Sequence, residues 1–253
     1  MTPSGDPPIQ STSISFDIVE TIHELNGASL SELVEQCNRP KSTVHDHVTT
    51  LADLGYLNKN GQTFRLSVRF LKLGGFARAQ SRFFQIGKVE IRELAEQTGE
   101  HANLFTEENG LGIFLYKEKG PESVDLDTYE GMEVHIHTTA LGKSILAEMT
   151  RSQRDRIVDQ HGLEQVTENT ITDRARLEDE LETINERGYA IDNEERIEGI
   201  RCVAAPVTTD NRVVGAVSVS APQRRMSGRR FEEKIPSEVL STANIIEVNI
   251  QYS

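Results

Sequence analysis

The chain has 253 residues, 36% of them hydrophobic, which suits one large domain or two ordinary ones, and no run approaches the roughly 20 apolar residues that cross a bilayer. Its two cysteines, Cys37 and Cys202, are too few for a disulfide framework and lack metal-ligand spacing, so we expect a cytoplasmic protein with no cofactor. The formal net charge of -13 opposes binding to a polyanion at low salt.

The chain opens with a polar, proline-rich stretch, residues 1–11, that lacks the basic start and apolar run of a signal peptide. Its composition predicts a disordered leader. Over residues 14–25 apolar side chains recur at helical spacing, at Ile14, Ile18 and Ile22, which predicts a first helix. Asn26-Gly27 is a stop signal that ends this helix.

A second helix is predicted to begin at Ser29, because Ser29 and Glu32 match the capping-box pattern S-x-x-E. After a short turn, Pro40 suits the start of a third helix over residues 41–54. Residues 56–66 then predict a compact β-hairpin. This order is typical of a winged helix-turn-helix, which binds DNA. A three-helix domain that binds no DNA is the alternative.

The acidic charge bears on that choice. Residues 1–75 carry 6 Lys and Arg against 8 Asp and Glu, so most of the acidic excess lies in the remainder of the chain. Either the chain does not bind DNA, or it works at high salt, where the Debye length falls to about 3 Å at about 1 M. An acid-rich surface with few lysines is typical of halophilic cytoplasmic proteins, which favours the second interpretation.

The rest of the chain predicts a larger domain of mixed composition. Two helices are predicted first, over residues 67–79 and 84–98. Extended segments are predicted over residues 101–106, 111–117, 123–129, 134–137, 203–208 and 213–220. Further helices are predicted over residues 140–149, 152–160, 173–187 and 229–249. The fold class is therefore α+β, with an antiparallel sheet in the larger domain.

Three segments resemble one known family. They are the helix-turn-helix region with Lys41-Ser42-Thr43-Val44, residues 137–147 (HTTALGKSILA), and the run from Gly188 to Ser220 with GYAIDNEE, GIRCVAAPV and GAVSVS. In this order they resemble the IclR family of bacterial and archaeal regulators. The resemblance implies a winged helix-turn-helix over 12–66, a linker helix over 67–82 and a GAF-like effector-binding domain over 83–253. It also implies a homodimer or a tetramer (dimer of dimers), no membrane association and no catalysis.

The predicted DNA contacts lie on the third helix and the hairpin. Short hydroxyls at a helix start suit phosphate or base contacts, and the basic residues suit phosphates. The predicted set is Arg39, Lys41, Ser42, Thr43, His45, Asp46, Thr49, Lys59 and Arg65. Asp46 departs from the family, which commonly has a basic residue there. Its carboxylate could accept from a cytosine amino group or pair with a Lys or His on the same helix.

The predicted effector site lies in the larger domain. Thr139 precedes a helix start, where unpaired backbone N–H groups favour an anion such as a ligand carboxylate. Family ligands are often carboxylates, such as 2-oxo acids, aromatic acids or sugar acids. The resemblance and the pattern together give the set Asn103, Met132, Thr139, Ala140, Leu141, Asp192, Cys202, Ser218 and Ser220. Simple core packing of these mostly small residues is the alternative.

Three other residue patterns point to different chemistry. Lys143 could pair with a ligand, although its place on the helix also suits a solvent-facing side chain. Cys202 could be a nucleophile, but no histidine lies near it in sequence, and His135 with His137 lacks convincing metal partners. We therefore expect a ligand-responsive regulator of a catabolic gene cluster that binds double-stranded operator DNA. A sensor whose helix-turn-helix binds protein, and an enzyme, are the alternatives.

Overall fold

The computed structural model describes residues 8–252. Residues 1–7, which make up most of the predicted leader, and Ser253 lie outside the described residues. The chain divides into two compact units, one ending at Ala77 and the other beginning at Arg78. This boundary falls inside the segment that the sequence predicts as a linker helix.

The first unit combines helices with a small antiparallel sheet in the order β1-β3-β2. Its helices are α1 (Gln10–Glu24), α2 (Leu30–Cys37) and α3 (Lys41–Asp53). Its strands are β1 (Ala28–Ser29), β2 (Leu57–Asn60) and β3 (Thr63–Leu66), and helix α4 (Arg69–Ala79) follows them. The core of the unit consists of Ile18, Ile22, Ala28, Leu33, Val44, Val48, Leu57 and Phe64.

The start of α2 shows how local chemistry sets these boundaries. The Ser29 hydroxyl accepts from the Glu32 backbone N–H at 3.3 Å, and the Glu32 carboxylate accepts from the Ser29 backbone N–H at 2.7 Å. Both partners of the predicted capping box are therefore present, and each satisfies a donor that the helix leaves unpaired. The hairpin of β2 and β3 is also confirmed, with Leu57 opposite Leu66.

The first helix begins earlier than the sequence suggested. It starts at Gln10, so residues 10 and 11 belong to α1 and not to a disordered leader. The apolar face that reveals a helix starts only at Ile14, because the first turn is exposed and needs no apolar side chain. The hydroxyl of Ser15 donates to the Ser11 carbonyl at 3.2 Å within this turn.

The second unit is built on an antiparallel sheet in the order β6-β5-β4-β9-β8-β7. The strands are β4 (His101–Glu108), β5 (Leu111–Lys119), β6 (Glu133–His135), β7 (Ala190–Asn193), β8 (Ile200–Thr209) and β9 (Arg212–Pro222). The helices are α5 (Arg82–Thr98), α6 (Ala140–Glu148), α7 (Arg151–His161), α8 (Arg174–Arg187) and α9 (Ile235–Tyr252). A 3₁₀ turn, Ile136–Thr138, precedes α6, and a π-helical turn, Arg230–Lys234, leads into α9. The predicted α+β class is confirmed.

Each face of this sheet carries its own hydrophobic core. On β8, Val203, Ala205 and Val207 pack with α5 and α9, whereas Ala204, between two of them, packs with α6 and α8. This follows from the two-residue period of a strand, which sends successive side chains to opposite faces. The sheet therefore lies between two helical layers, and the face toward α6 is the one that carries Asn103 and Ser220.

Several predicted elements differ from the structure. Residues 123–129 form no strand, and the carbonyls of Leu126 and Thr128 accept from the Lys117 ammonium instead of from a neighbouring strand. Strand β6 ends at His135, because the chain turns into the 3₁₀ turn one residue later. Strands β1 and β7 have only two and four residues, so an alternating pattern of apolar and polar residues cannot identify them from the sequence. Within residues 8–252, no helix is long and apolar enough to cross a membrane.

A buried carboxylate joins two connections of the second unit. Glu100, between α5 and β4, is fully buried. Arg225 donates to both of its oxygens, at 2.8 and 2.6 Å, and Arg230 adds a bond of 3.1 Å. Both arginines lie in the connection from β9 to α9. The charge of Glu100 is thus compensated by a bidentate fork and a second cation.

We expect Glu100→Gln to lower the free energy of unfolding by about 2 kcal/mol, because it leaves two partly buried guanidinium groups without their counterion. Urea unfolding, followed by circular dichroism, measures the change. The control is Glu233→Gln, which breaks an exposed pair with Arg229 and should cost less than about 0.5 kcal/mol. Equal losses in the two variants would contradict this assignment.

Candidate nucleic-acid interface and effector cavity

Helix α3 presents a polar stripe to solvent. Ser42, His45, Asp46 and Thr49 are all exposed and recur at the spacing of one helical face. Val44 and Val48 lie on the opposite face and are fully buried in the core of the first unit. The side chains of the stripe therefore make little contribution to the core and are free to meet a ligand.

The remaining predicted residues at this helix differ in exposure. Arg39, in the turn before α3, and Lys41, the first residue of α3, are exposed, whereas Thr43 is half-buried. His47 is also half-buried, and its Nδ1 lies 2.7 Å from the Ser15 hydroxyl on α1. His47 thus joins α3 to α1. His47 does not belong to the polar stripe, because its ring is turned toward α1.

Asp46 is the unusual residue of the stripe. Its carboxylate lies 3.6 Å from Nδ1 of His45, and both side chains are largely exposed, at 81% and 61%. An ion pair so exposed contributes little to stability, because water and salt screen it. The arrangement leaves the Asp46 carboxylate open to solvent, where it can accept hydrogen bonds.

The hairpin of β2 and β3, which we call the wing, carries the other predicted basic residues. Lys59 on β2 and Arg65 on β3 are exposed. The Lys59 ammonium lies 5.5 Å from the centre of the Phe64 ring, close enough for a cation–π contact that orients the side chain. The hairpin thus presents two cations on the same compact unit as α3.

A small cavity lies in the second unit between the sheet and α6. Seven of the nine predicted effector-binding residues line it: Asn103, Thr139, Ala140, Leu141, Asp192, Cys202 and Ser220. The sequence prediction missed Phe114, Leu126, Thr128, Arg196, Ile197 and Ile200. The cavity volume is about 30 Å³, which is room for about two waters, so a larger guest requires the lining to move outward.

Polar side chains of the sheet form one wall of this cavity. The side-chain amide of Asn103 on β4 donates to the hydroxyl of Ser218 at 3.1 Å and to that of Ser220 at 3.3 Å, both on β9. The strands pair directly, with Asn103 opposite Ser218. This wall therefore comes from side chains that share one face of two neighbouring strands.

Two predicted residues lie outside the lining. Ser218 is fully buried, and its hydroxyl accepts from the side-chain amide of Asn103, which does line the cavity. Met132 is half-buried, and its sulfur lies 3.5 Å from Nη2 of Arg196. Met132 thus contacts an arginine that lines the cavity, and effector contact by Met132 and Ser218 stays a prediction.

The start of α6 forms a second wall. Thr139 caps the helix, and its hydroxyl accepts from the Gly142 backbone N–H at 2.9 Å. The N–H groups of Ala140 and Leu141 have no acceptor within α6, which gives this wall a partial positive charge. A Cβ on Gly142 would lie 1.8 Å from the Ile136 carbonyl oxygen, so only glycine allows α6 to approach the preceding turn so closely.

Asp192 places a carboxyl group in the cavity wall. Burial raises its pKa to about 7, and the charge of Glu195 adds to this effect, while a backbone hydrogen bond from Glu195 opposes it. That bond joins the Glu195 N–H to Asp192 Oδ1 at 2.7 Å. Near neutral pH the carboxyl therefore exists in both its protonated and its ionised form.

Lys143 is buried, although the sequence also suggested a solvent-facing side chain. It is 1% exposed, and its ammonium lies 2.6 Å from Glu195 and 3.7 Å from Glu180. The lysine is therefore paired within the protein beside the cavity. It follows Gly142 on α6 and is directed toward α8 and the loop after β7, which cover it.

The candidate catalytic and metal groups are differently placed. Burial, and the nearby Asp192, raise the pKa of the Cys202 thiol above its ordinary value, so it stays protonated and is a poor nucleophile. His135 pairs with Glu164 at 2.9 Å, and His137 contacts the Glu164 carbonyl at 3.1 Å. In the part of the chain that the structure describes, no three His, Cys, Asp or Glu side chains are placed to hold a metal.

Some of the missed residues carried a sequence signal. Arg196 directly follows the GYAIDNEE segment that contains Asp192, and its position in that loop could have raised it as a candidate. Leu126 and Thr128 line the cavity but lie in residues 123–129, which the sequence predicts as a strand. That pattern favours a place in a sheet and gives no sign of a binding site. Phe114 fits the alternating buried pattern at the start of β5, but nothing in the sequence distinguishes it from other core residues.

Comparison with known proteins gives matches over nearly the whole chain. The IclR helix-turn-helix domain model matches residues 11–61, and the model of the bacterial transcriptional regulator IclR C-terminal domain matches residues 79–248. The probable HTH-type transcriptional regulator ArcR of Halobacterium salinarum is 35% identical over 98% of this chain and 97% of its own length.

Solved structures agree. The Thermotoga maritima IclR crystal structure is 28% identical, with a TM-score of 0.74, and covers 96% of this chain and 98% of that one. An IclR homologue of Microbacterium hydrocarbonoxydans, complexed with 4-hydroxybenzoate, has the same fold at 20% identity, with a TM-score of 0.81 and coverage of 96% and 100%. The chain therefore belongs to the IclR family of transcriptional regulators, which are DNA-binding proteins and not enzymes.

Proposed function

We propose that this regulator switches a catabolic gene cluster in response to a small carboxylate metabolite. In this proposal residues 12–66 bind double-stranded operator DNA, residues 67–82 link the two parts, and residues 83–253 bind the effector. The observation that carries the proposal is the cavity between the sheet and α6, where polar side chains and a helix start converge.

The chemistry of the cavity favours a small organic acid. The start of α6, with Ala140 and Leu141, attracts an anion. Asn103, Asp192 and Ser220 offer hydrogen bonds to hydroxyl or oxo groups on the opposite side. The 4-hydroxybenzoate complex of the Microbacterium homologue is consistent with such a ligand, since that molecule carries a carboxylate and a hydroxyl. Sugar-derived acids have the same two features.

The exposed stripe of α3 supports the DNA-binding part of the proposal. Ser42, His45, Asp46 and Thr49 reach base edges in the major groove, while Arg39, Lys41 and Thr43 contact phosphates at the helix start. Lys59 and Arg65 in the wing touch the backbone. With few cations, binding depends on short-range contacts, which suits a halophilic cytoplasm where salt screens the acidic charge.

Helix α4 supports self-association. None of its residues is buried, yet Leu71, Leu73 and Phe76 are exposed by 72%, 52% and 68%, and Val68 just before it by 85%. Large apolar side chains grouped on one exposed helix mark an interaction surface. We assign this surface to a homodimer that places two recognition helices on two half-sites, with a dimer of dimers as the higher assembly.

We expect the double substitution of Ser42→Ala and Thr43→Ala to weaken binding to the DNA upstream of the protein's own gene by more than about tenfold. The loss arises because the first turn of α3 then lacks its hydroxyl donors. A gel-shift titration at high salt measures it. The matched control replaces Ser11 and Thr12, two exposed hydroxyl residues of α1, with alanine and should leave affinity unchanged. Unchanged affinity in the first variant would refute the assignment of α3.

We expect Leu71→Glu with Phe76→Glu to convert the protein to a monomer, because two charges would have to be buried in the interface of α4. Sedimentation velocity at high salt gives the mass in solution. Gln80→Glu, just beyond the helix, introduces a charge without removing apolar surface and serves as the control. A double variant that keeps the mass of the unaltered protein would disprove this interface.

We expect Asp192→Asn to stabilise the protein more at about pH 8 than at about pH 5. The folded protein holds the Asp192 proton up to a pKa of about 7, whereas the unfolded chain releases it near 3.9, so folding stability falls as the pH rises between these values. Asparagine carries no such penalty, and its advantage should grow by roughly 2–3 kcal/mol over that range.

Thermal unfolding of both proteins across the range measures this difference, and the side-chain carbonyl oxygen of the introduced asparagine can still accept the Glu195 N–H. Asp210→Asn, in the exposed turn between β8 and β9, is the control and should show no such trend. A constant stability difference across the pH range would show that Asp192 ionises normally.

A further inference from the structure

Arg196 stands out among the residues that line the cavity. Of the described lining residues it is the one cation, and Asp192 is the one acid. Its side chain is only 11% exposed, and its guanidinium lies 5.7 Å from the centre of the Phe114 ring. A guanidinium so placed has lost most of its hydration and needs strong hydrogen-bond partners.

Those partners are weak in the structure. Within residues 8–252, Arg196 has Asp127 at 3.9 Å, a distance beyond hydrogen bonding, and the sulfur of Met132 at 3.5 Å. Its charge also acts on Asp192 and lowers the pKa of that carboxyl, against the larger effect of burial. Asp127 is itself 71% exposed, so water screens its charge. The donors of the guanidinium therefore have capacity for a further acceptor.

Other sheltered arginines of the same unit are satisfied. Arg154, at 15% exposure, donates to both oxygens of Glu178 at 3.2 and 2.7 Å and also to the Met149 carbonyl. Arg225 forms the bidentate pair with Glu100 described above. Arg196 is thus less well paired than these two arginines, and the two oxygens of a carboxylate match the paired N–H groups of a guanidinium.

The backbone that carries Arg196 is held in place. The Asp192 side chain accepts the Glu195 N–H, and Thr170 donates to the Glu195 carbonyl at 2.6 Å. Thr167 donates to the Glu194 carbonyl at 2.8 Å. The loop before β8 is therefore pinned on both sides, and Arg196 can be positioned before a ligand arrives, which lowers the entropy cost of binding.

We propose that Arg196, together with the start of α6, binds the carboxylate of the effector, and that Arg196 thereby selects an acid over its neutral analogue, with Asp127 as the internal counterion that the effector displaces. This inference rests on the proposed effector-binding function and names the residue that makes the site prefer a charged acid to a neutral ligand. Asp127 belongs to the connection between β5 and β6, which also contributes Leu126 and Thr128 to the cavity lining. Asp127 therefore lies in the same segment as two residues that line the cavity.

The test uses matched pairs of probes: pyruvate with pyruvamide, and 4-hydroxybenzoate with 4-hydroxybenzamide, measured by isothermal titration calorimetry on the full chain. The unaltered protein should bind at least one acid about tenfold or more tightly than its amide. Arg196→Gln should remove that preference, and Arg196→Lys, which keeps the charge, should retain part of it. Arg224→Gln, at an exposed position, is the control and should change the affinity for neither the acid nor the amide.

Asp127→Asn gives a result in the opposite direction. It removes the competing anion, so affinity for the acid should rise by about two- to fivefold while affinity for the amide stays constant. A role of Arg196 in packing alone predicts equal losses for acid and amide and no gain in Asp127→Asn.

Two outcomes would overturn the inference and can be told apart. If acids bind but Arg196→Gln keeps the preference for them, Arg196 is not the carboxylate contact and the proposed function stands. If the unaltered protein binds neither member of any pair, the effector-binding proposal for these acid classes fails together with this inference. Circular dichroism of each variant is the control that tests whether its fold is intact.

Discussion

Alternation along the strands of the β6-β5-β4-β9-β8-β7 sheet governs the rest of the second unit. Because successive side chains point to opposite faces, the strands β4, β5, β7, β8 and β9 supply one apolar face to α5 and α9 and a second face to α6. On the second face, Asn103, Cys202 and Ser220 take the places of core residues. The same register that builds the core therefore also collects the polar groups of the cavity.

The cavity exists because α6 meets this polar face at its N-terminus. Gly142 lets the helix lie against the Ile136 carbonyl, and Thr139 caps it, so its first N–H groups lie beside the sheet. The acid of Asp192 and the cation of Arg196 face the same small space. Burial shifts the balance of charge there, since it raises the pKa of Asp192 toward neutrality and leaves Arg196 as the dominant ion.

The first unit uses charge differently. Its core is complete without the exposed side chains of α3, so that surface can be devoted to recognition. The residues there are short hydroxyls, a histidine and an aspartate, with few cations. In the proposed DNA-binding role, such a surface would discriminate by hydrogen-bond geometry, which salt screens far less than it screens a long-range positive field.

Sequence alone determined the α+β class, the helix-turn-helix with its capping box at Ser29, and most of the cavity set, because these depend on local spacing and on motifs that match a known family. Only the tertiary structure decided that Lys143 is buried against Glu195, that Asn103 donates to Ser218, and that Arg196 lines the cavity with weak partners. Local patterns give the face of an element, whereas burial and pairing depend on elements far apart in the chain. The irregular connection at residues 123–129, where Lys117 of β5 bonds the carbonyls of Leu126 and Thr128, likewise depends on a side-chain contact that the alternating pattern does not predict.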